Sequence, residues 1–253
     1  MKKIALSLAA TLAFATAAFA EPVKIGIDPA AYPPFTELNA DGTWKGWEID
    51  MVIEVCKRAE LECEFVATAW DGIIPALTSG QIDVIMSSMS ITEERMKVID
   101  FSDKYYNTPT LMMVAKGSGL TPDPAAMSGK IIGVIVSTTQ EAYSLAHFPD
   151  SEVKSYQTPD ETYQDLAAGR VDAVVSDSLV GNVWLATETG LACCESAGNV
   201  PNDSAILGKG AGFGIRQGDP LKDKLNAAIA SIRADGTYAT ITAKYFTFDI
   251  YGE

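Results

Sequence analysis

The sequence predicts an α/β protein built from two similar lobes. Strand-like and helix-like segments alternate along the chain, which is the pattern of α/β folds. In addition, the stretch Ser79-Gly-Gln-Ile-Asp-Val-Ile-Met-Ser-Ser88 aligns without gaps on Ala168-Gly-Arg-Val-Asp-Ala-Val-Val-Ser-Asp177. A second pair of similar segments covers 23–28 and 130–137. Each lobe should therefore present polar groups beyond the carboxyl ends of its strands, where open α/β sheets bind ligands.

Periodicity and turn residues place the individual elements. Strands are predicted at 23–27, 62–67 and 82–86, and helices around 49–56 and over 73–77, 221–232 and 238–245. Thr92 is a predicted helix N-cap followed by two glutamates, and Thr138-Thr139-Gln140 is a predicted helix start. The segment from Lys116 to Gly129, rich in Gly, Ser, Pro and Asp, is predicted to be a loop.

The N-terminus has the order of a secretory signal peptide. Lys2 and Lys3 precede an apolar run, and Ala18-Phe19-Ala20 is a small-x-small cleavage pattern. We expect cleavage after Ala20, a soluble mature chain in the periplasm, and no direct membrane insertion, since no later segment is long and apolar enough to span a bilayer. The alternative is a buried N-terminal helix.

The net charge of −14 argues against a nucleic-acid partner, which would require basic patches. The four cysteines agree with export, because disulfides persist in oxidising compartments. They allow three pairings, of which Cys56–Cys63 is favoured, while Cys193 and Cys194 form either a vicinal disulfide or two thiols. No metal site is predicted, because His147 is the only histidine and the cysteine spacing does not suit zinc.

Several polar and aromatic residues should converge between the lobes. They are Asp28, Tyr32, Trp70, Ser87, Ser88, Ser90 and Arg95 from the first lobe, and Ser137, Thr138, Thr139, Gln140 and Asp177 from the second. Together they suit a ligand with a carboxylate and an ammonium group. The planar fork of Arg95 matches the carboxylate, Asp177 matches the ammonium group, and a helix start at Thr139 offers free N–H groups.

Each of these residues also has a purely structural interpretation. Arg95 alone could form a surface ion pair, Asp177 could cap a helix, and Tyr32 could pack in the rigid turn before Pro33. Catalysis has little support, because the chain contains no G-x-S-x-G, H-E-x-x-H or P-loop motif. An enzyme that uses Asp or Glu as acid and base remains an alternative.

The chain resembles the polar amino-acid branch of the periplasmic solute-binding proteins, above all the lysine/arginine/ornithine- and histidine-binding proteins. The matching runs cover the mature chain: Tyr32-Pro-Pro-Phe35, Gly46-Trp-Glu-Ile-Asp50, Trp70-Asp-Gly-Ile-Ile-Pro-Ala-Leu77, Met86-Ser-Ser-Met-Ser-Ile-Thr-Glu-Glu-Arg95, Phe101-Ser-Asp-Lys-Tyr-Tyr106, Ser137-Thr-Thr-Gln-Glu141 and Ala234-Asp-Gly-Thr-Tyr238. The resemblance implies a type II fold, with residues 21–108 and 207–253 in the first lobe and 109–206 in the second. Two crossovers, near 107–110 and 205–210, should join the lobes.

The resemblance also implies roles for the candidate residues. Tyr32 and Trp70 would sandwich the aliphatic stem of the ligand. Arg95, Ser88 and the backbone at Thr139 would hold its carboxylate, and Ser90 and Asp177 its α-ammonium group. Asp28, Ser87 and Gln140 would lie toward its distal end, and Cys56–Cys63 would be a disulfide. Two positions depart from the family pattern: the spacing from Asp28 to Tyr32 is one residue longer, and Ser137 replaces a common glycine.

The expected function is capture of a free amino acid by lobe closure and delivery to the membrane permease of an ATP-driven (ABC) importer. A cationic amino acid (lysine, arginine or ornithine) is favoured, because Asp28 and Asp177 give the cleft two acids. We expect a monomer that is not an enzyme and has no cofactor. Glutamine, histidine and an opine are alternative ligands. The alternative functions are a cyclohexadienyl or arogenate dehydratase on the same fold and a sensory domain, which would need an attached membrane segment.

Overall fold

The computed structural model describes residues 21–252. The predicted signal peptide therefore lies outside the described residues. The strands are β1 (Val23–Ile27), β2 (Glu37–Leu38), β3 (Trp44–Lys45), β4 (Cys63–Ala67), β5 (Val84–Ile85), β6 (Asp100–Phe101), β7 (Thr110–Ala115), β8 (Ile131–Ile135), β9 (Glu152–Tyr156), β10 (Ala173–Asp177), β11 (Cys194–Asn199) and β12 (Gly214–Ile215). The helices are α1 (Trp47–Arg58), α2 (Ile73–Thr78), α3 (Glu93–Met96), α4 (Thr139–His147), α5 (Pro159–Ala167), α6 (Ser178–Leu185), α7 (Glu188–Cys193), α8 (Ser204–Leu207), α9 (Leu221–Ala234) and α10 (Thr237–Thr242).

Ten of the twelve strands of residues 21–252 form two five-stranded mixed sheets, one in each lobe, which confirms the predicted fold class, and β2 pairs with β3 in a separate two-stranded sheet. The first sheet has the order β4-β1-β5-β12-β6, and the second has the order β11-β7-β10-β8-β9. β12 returns to the first sheet after every strand of the second, so the chain passes between the lobes twice. The predicted lobe boundaries, at 108/109 and 206/207, fall within these two connections and stay predictions. None of the helices in residues 21–252 is long and apolar enough to cross a bilayer.

The internal repeat has a structural cause. Asp83 exchanges two hydrogen bonds with Lys24 at the start of β1, since its N–H donates to the Lys24 carbonyl (2.8 Å) and its carboxylate accepts from the Lys24 N–H (3.0 Å). Asp172 does the same with Ile131 at the start of β8, at 2.8 and 2.9 Å. In both copies the preceding glycine, Gly80 or Gly169, has a positive φ. The repeated Gly-x-[Ile/Val]-Asp therefore aligns equivalent strands in the two lobes.

Most predicted elements are present, but one helix and one strand are shorter than expected. The helix predicted at 238–245 is α10, which ends at Thr242. The strand predicted at 82–86 is reduced to β5, because Asp83 turns toward β1 and the chain bends away after Met86 into a left-handed Ser88. Thr92 caps α3 and Thr138 caps α4, as predicted, each through its side-chain oxygen. The segment 116–129 contains neither helix nor strand.

Both cysteine pairs are disulfide-bonded. Cys56–Cys63 links the last turns of α1 to edge strand β4 with a Cα–Cα distance of 6.3 Å, as favoured from the sequence. Cys193 and Cys194 form a vicinal disulfide at the junction of α7 and β11. The alternative of two free thiols is therefore wrong, and all four cysteines of the chain are paired.

Candidate functional site

A cavity of about 400 Å³ lies between the lobes at the carboxyl ends of their strands. Eleven of the twelve residues expected to converge between the lobes line it: Asp28, Tyr32, Trp70, Ser87, Ser88, Ser90, Arg95, Thr138, Thr139, Gln140 and Asp177. Ser137, the twelfth, is exposed and is not a lining residue. The fold brings them together because β1, β5, β8 and β10 all end at this cavity, and the residues after each strand form its wall. Their contacts with a ligand stay predictions.

Arg95 is a half-buried cation on the first-lobe side of the cavity. Its guanidinium donates to the Ser90 carbonyl at 2.9 Å and, across the cleft, to the Ser137 carbonyl at 3.1 Å. It also lies 5.4 Å from the centre of the Trp70 ring. Burial lowers the pKa of Arg95 to about 10, and no carboxylate among residues 21–252 compensates its charge. The site thus holds a protonated fork that has no anionic partner of its own.

Asp177 is a buried carboxylate on the opposite wall. Its Oδ1 accepts hydrogen bonds from the N–H groups of Leu179 (2.8 Å) and Val180 (3.2 Å), so it caps α6, and its Oδ2 accepts from the Thr108 hydroxyl. Burial raises the pKa of Asp177, although these three hydrogen bonds act in the opposite direction. The helix-cap interpretation is therefore correct, and it coexists with a position on the cavity wall.

Asp28 follows β1 and is less tightly held. Its carboxylate accepts one hydrogen bond, from the Ala30 N–H at 3.2 Å, and its own N–H donates to Ser87 Oγ at 3.2 Å. Burial raises the pKa of Asp28 to about 6; the Ala30 bond lowers it and the nearby Asp71 charge raises it further. An acid with so few donors has free lone pairs to offer a cationic group. Despite the longer spacing to Tyr32, Asp28 lines the cavity.

The N-terminus of α4 supplies main-chain donors to the second-lobe wall. The Thr138 side chain is already used, since its oxygen accepts from the Glu141 N–H at 3.2 Å and its hydroxyl donates to the Ile135 carbonyl at 2.6 Å. The Thr138 hydroxyl therefore has no proton left to donate to a ligand carboxylate. The N–H groups of Thr139 and Gln140 belong to the first helical turn, which has no acceptors within the helix.

Two hydrogen bonds join the lobes directly across the cavity. Besides the bond from Arg95, the Trp70 indole Nε1–H donates to the Val136 carbonyl at 3.0 Å. Both acceptors are carbonyls that immediately follow β8. Ser137 has a φ of 59° there, a left-handed conformation that explains why glycine suits this position. The structure thus shows the lobes in contact around the cavity.

Sequence reasoning missed residues of the crossovers and one buried acid. Tyr106, Asn107, Thr108 and Gly208 line the cavity from the two connections, and Glu48 lies directly beneath Ser88. The crossover residues carry no periodic signal. Glu48 lies in the run Gly46-Trp-Glu-Ile-Asp50, but its position there is also that of a residue in an ordinary amphipathic helix.

Comparison with known proteins decides the family. The model of bacterial extracellular solute-binding proteins, family 3, matches residues 23–248. The chain belongs to this family. A histidine-binding periplasmic protein of Salmonella typhimurium is 43% identical over 100% of both chains, and an L-arginine-binding protein of Pseudomonas aeruginosa is 41% identical over 100% of this chain and 99% of that one.

Solved structures agree with this family assignment. An ancestral arginine-binding protein bound to arginine has a TM-score of 0.80 at 33% identity, over 89% of this chain and 98% of that one. These relatives are binding proteins, which agrees with the prediction that this family 3 member is not an enzyme and disfavours the dehydratase alternative.

Proposed function

We propose that this family 3 protein binds a free cationic amino acid (lysine, arginine or ornithine) and delivers it to the membrane permease of an ABC importer. The observation that carries the proposal is the charge content of the cavity wall. One arginine without an anionic partner faces the cleft, together with the two carboxylates of Asp28 and Asp177. A ligand with one carboxylate and two cationic groups would match all three charges, and a buried charge is costly unless it is paired.

The proposed pose follows from these charges. The ligand carboxylate would contact Arg95 and the free N–H groups at the start of α4, and the α-ammonium group would contact Asp177 and Ser90. Tyr32 and Trp70 would enclose the aliphatic stem. The distal cation would then reach Asp28, with Ser87 and Gln140 beside it.

Lobe closure is the proposed mechanism of capture. A ligand that contacts both lobes only in the closed form shifts the open–closed equilibrium toward that form. The hydrogen bonds from Trp70 and Arg95 to the carbonyls that follow β8 support this view, because they join the two lobes beside the proposed ligand position. The closed form would be the one that the permease recognises, and we expect the binding protein to act as a monomer.

Export to the periplasm, with cleavage after Ala20, belongs to the same proposal. The N-terminal leader pattern supports it, and the Salmonella relative is itself named a periplasmic protein.

Histidine is a second candidate ligand, because the Salmonella relative binds histidine according to its name. A ligand panel separates the candidates. Thermal unfolding of the mature protein should be followed with lysine, arginine, ornithine, histidine and glutamine, since a ligand of the folded state raises the melting temperature by mass action. The proposal expects the largest shifts with lysine, arginine or ornithine. A shift with histidine alone would replace the proposed ligand, and no shift with any amino acid would contradict the binding function.

The affinity for lysine should depend on pH through Asp28. Its carboxylate must be ionised to attract the distal cation, and its pKa in the free protein is about 6. Affinity should therefore fall by about tenfold between pH 7 and pH 5, as the carboxylate gains a proton. Calorimetric titration of the wild type and of Asp28→Asn at both pH values measures the effect. The variant should bind lysine more weakly at pH 7 and lose most of this pH dependence; equal slopes in the two proteins would contradict the role of Asp28.

A further inference from the structure

A buried acid beneath the cleft floor remains without a role in the proposed pose. Glu48 lies in the first turn of α1 and is fully buried. Its carboxylate accepts from the Ser88 N–H at 2.8 Å, from the Ser88 hydroxyl at 3.0 Å and from the Tyr105 hydroxyl. Two of its three donors thus come from one residue of the cavity wall.

This arrangement determines what Ser88 can offer a ligand. A hydroxyl has one proton and two acceptor lone pairs. When the proton is directed at Glu48, the Ser88 oxygen keeps only its lone pairs. The Tyr106 phenol also hydrogen-bonds to the Ser88 side chain, so one lone pair is left for a ligand in the cavity. The two hydrogen bonds to Glu48 also hold Ser88 at a φ of 53°, a left-handed conformation that is unfavourable for residues other than glycine.

The charge of Glu48 is an unusual choice for a purely structural contact. No cationic side chain of the described part of the chain compensates it, and burial raises the pKa of Glu48 although its three hydrogen bonds act in the opposite direction. A neutral glutamine could fill the same space at a lower desolvation cost. Burial raises the pKa values of the Tyr32, Tyr105 and Tyr106 phenols, and the Glu48 charge raises them further.

We infer that Glu48 is a positioning residue of the binding site: it takes the Ser88 proton and so turns the Ser88 oxygen into an acceptor for the α-ammonium group of the ligand. This inference rests on the proposed function. It assigns Ser88 to the ammonium group, where the family resemblance suggested the carboxylate. Glu48 would also contribute negative charge beneath the same end of the ligand as Asp177.

The test compares ligands with and without the ammonium group in Glu48→Gln. The glutamine amide has N–H donors in place of one carboxylate oxygen, so it would donate to the Ser88 oxygen and direct the hydroxyl proton into the cavity. L-lysine should bind about 10- to 100-fold more weakly than to the wild type, the usual effect of losing a hydrogen bond to a charged group. 6-Aminohexanoate, which is lysine without the α-ammonium group, should change by less than about threefold. Arginine and 5-guanidinopentanoate form a second pair of probes.

Asp50→Asn is the matched control, since Asp50 lies on the same helix but pairs with Lys244 and Tyr245 away from the cavity. It should leave both affinities unchanged. An equal loss for lysine and 6-aminohexanoate in Glu48→Gln, or no loss for either, would overturn the positioning role alone. If Glu48→Gln does not fold by circular dichroism, Ser88→Ala must show the same selective loss for the inference to stand. A wild type that binds neither lysine nor arginine would contradict this inference together with the cationic-ligand proposal.

Discussion

Replacing Arg95 with alanine should weaken binding of the cognate amino acid by about a thousandfold. The guanidinium is the one cationic group of the described cavity wall, and it has no carboxylate of its own. Its removal would leave the ligand carboxylate enclosed without a counter-charge, which is the costly way to break a buried ion pair. Isothermal titration with lysine, arginine, ornithine and histidine would measure the loss.

Two variants sharpen this result. Arg95→Lys keeps the charge but not the fork, so it should recover only part of the affinity. Lys97→Ala removes a neighbouring cation whose partner is the exposed Glu94, and it should leave binding unchanged. If Arg95→Ala bound every tested amino acid within about fivefold of the wild type, the proposed carboxylate clamp would have to be abandoned.

Asp177→Asn should reduce affinity by about a hundredfold while the second lobe remains folded. The asparagine oxygen can still accept from Leu179 and Val180, so the α6 cap is kept, whereas the negative charge opposite the α-ammonium group is lost. Calorimetry gives the affinity, and thermal unfolding without ligand gives the stability.

Asp165→Asn, in the same lobe, should have the opposite effects on affinity and stability. Hydrogen bonds from Arg170, Lys154 and Tyr156 hold the pKa of Asp165 well below its ordinary value, and the residue does not line the cavity. This variant should unfold at a lower temperature than the wild type, whereas its affinity for the ligand should change by less than about threefold. Similar affinities of Asp177→Asn and the wild type would show that the ammonium group binds elsewhere.

The sequence predicted the two-lobed fold and the strand ends that form the cavity, because these features depend on local patterns. The Gly-x-[Ile/Val]-Asp repeat is one such pattern, since Asp83 and Asp172 each align one strand start with the next strand. The residues after those strands could be read as cavity residues for the same reason. Local patterns thus predicted which side chains lie in the site.

The sequence did not predict contacts that depend on distant segments meeting. Glu48 and Ser88 are 40 positions apart, and the carboxylate is useful only where β5 ends above α1. Likewise, Ser137 contributes its carbonyl rather than its side chain, and a main-chain acceptor leaves no mark on residue type. Tyr106 and Thr108 lie in a crossover whose path is set by both lobes at once.

The course of the chain between the lobes affects how the protein can evolve. Every strand of the second sheet lies between Thr110 and Asn199, and the outgoing and returning connections are hydrogen-bonded to each other where the Ala211 N–H donates to the Tyr106 carbonyl at 2.8 Å. The second lobe is thus one uninterrupted insert whose two ends are neighbours in space. An exchange of this insert would therefore carry Asp177 and the α4 donors with it and leave Arg95 and Asp28 behind. In the proposed pose the carboxylate contacts are divided between Arg95 and the α4 donors, so each new insert would have to restore half of them, whereas Asp28 would keep its place in the first lobe.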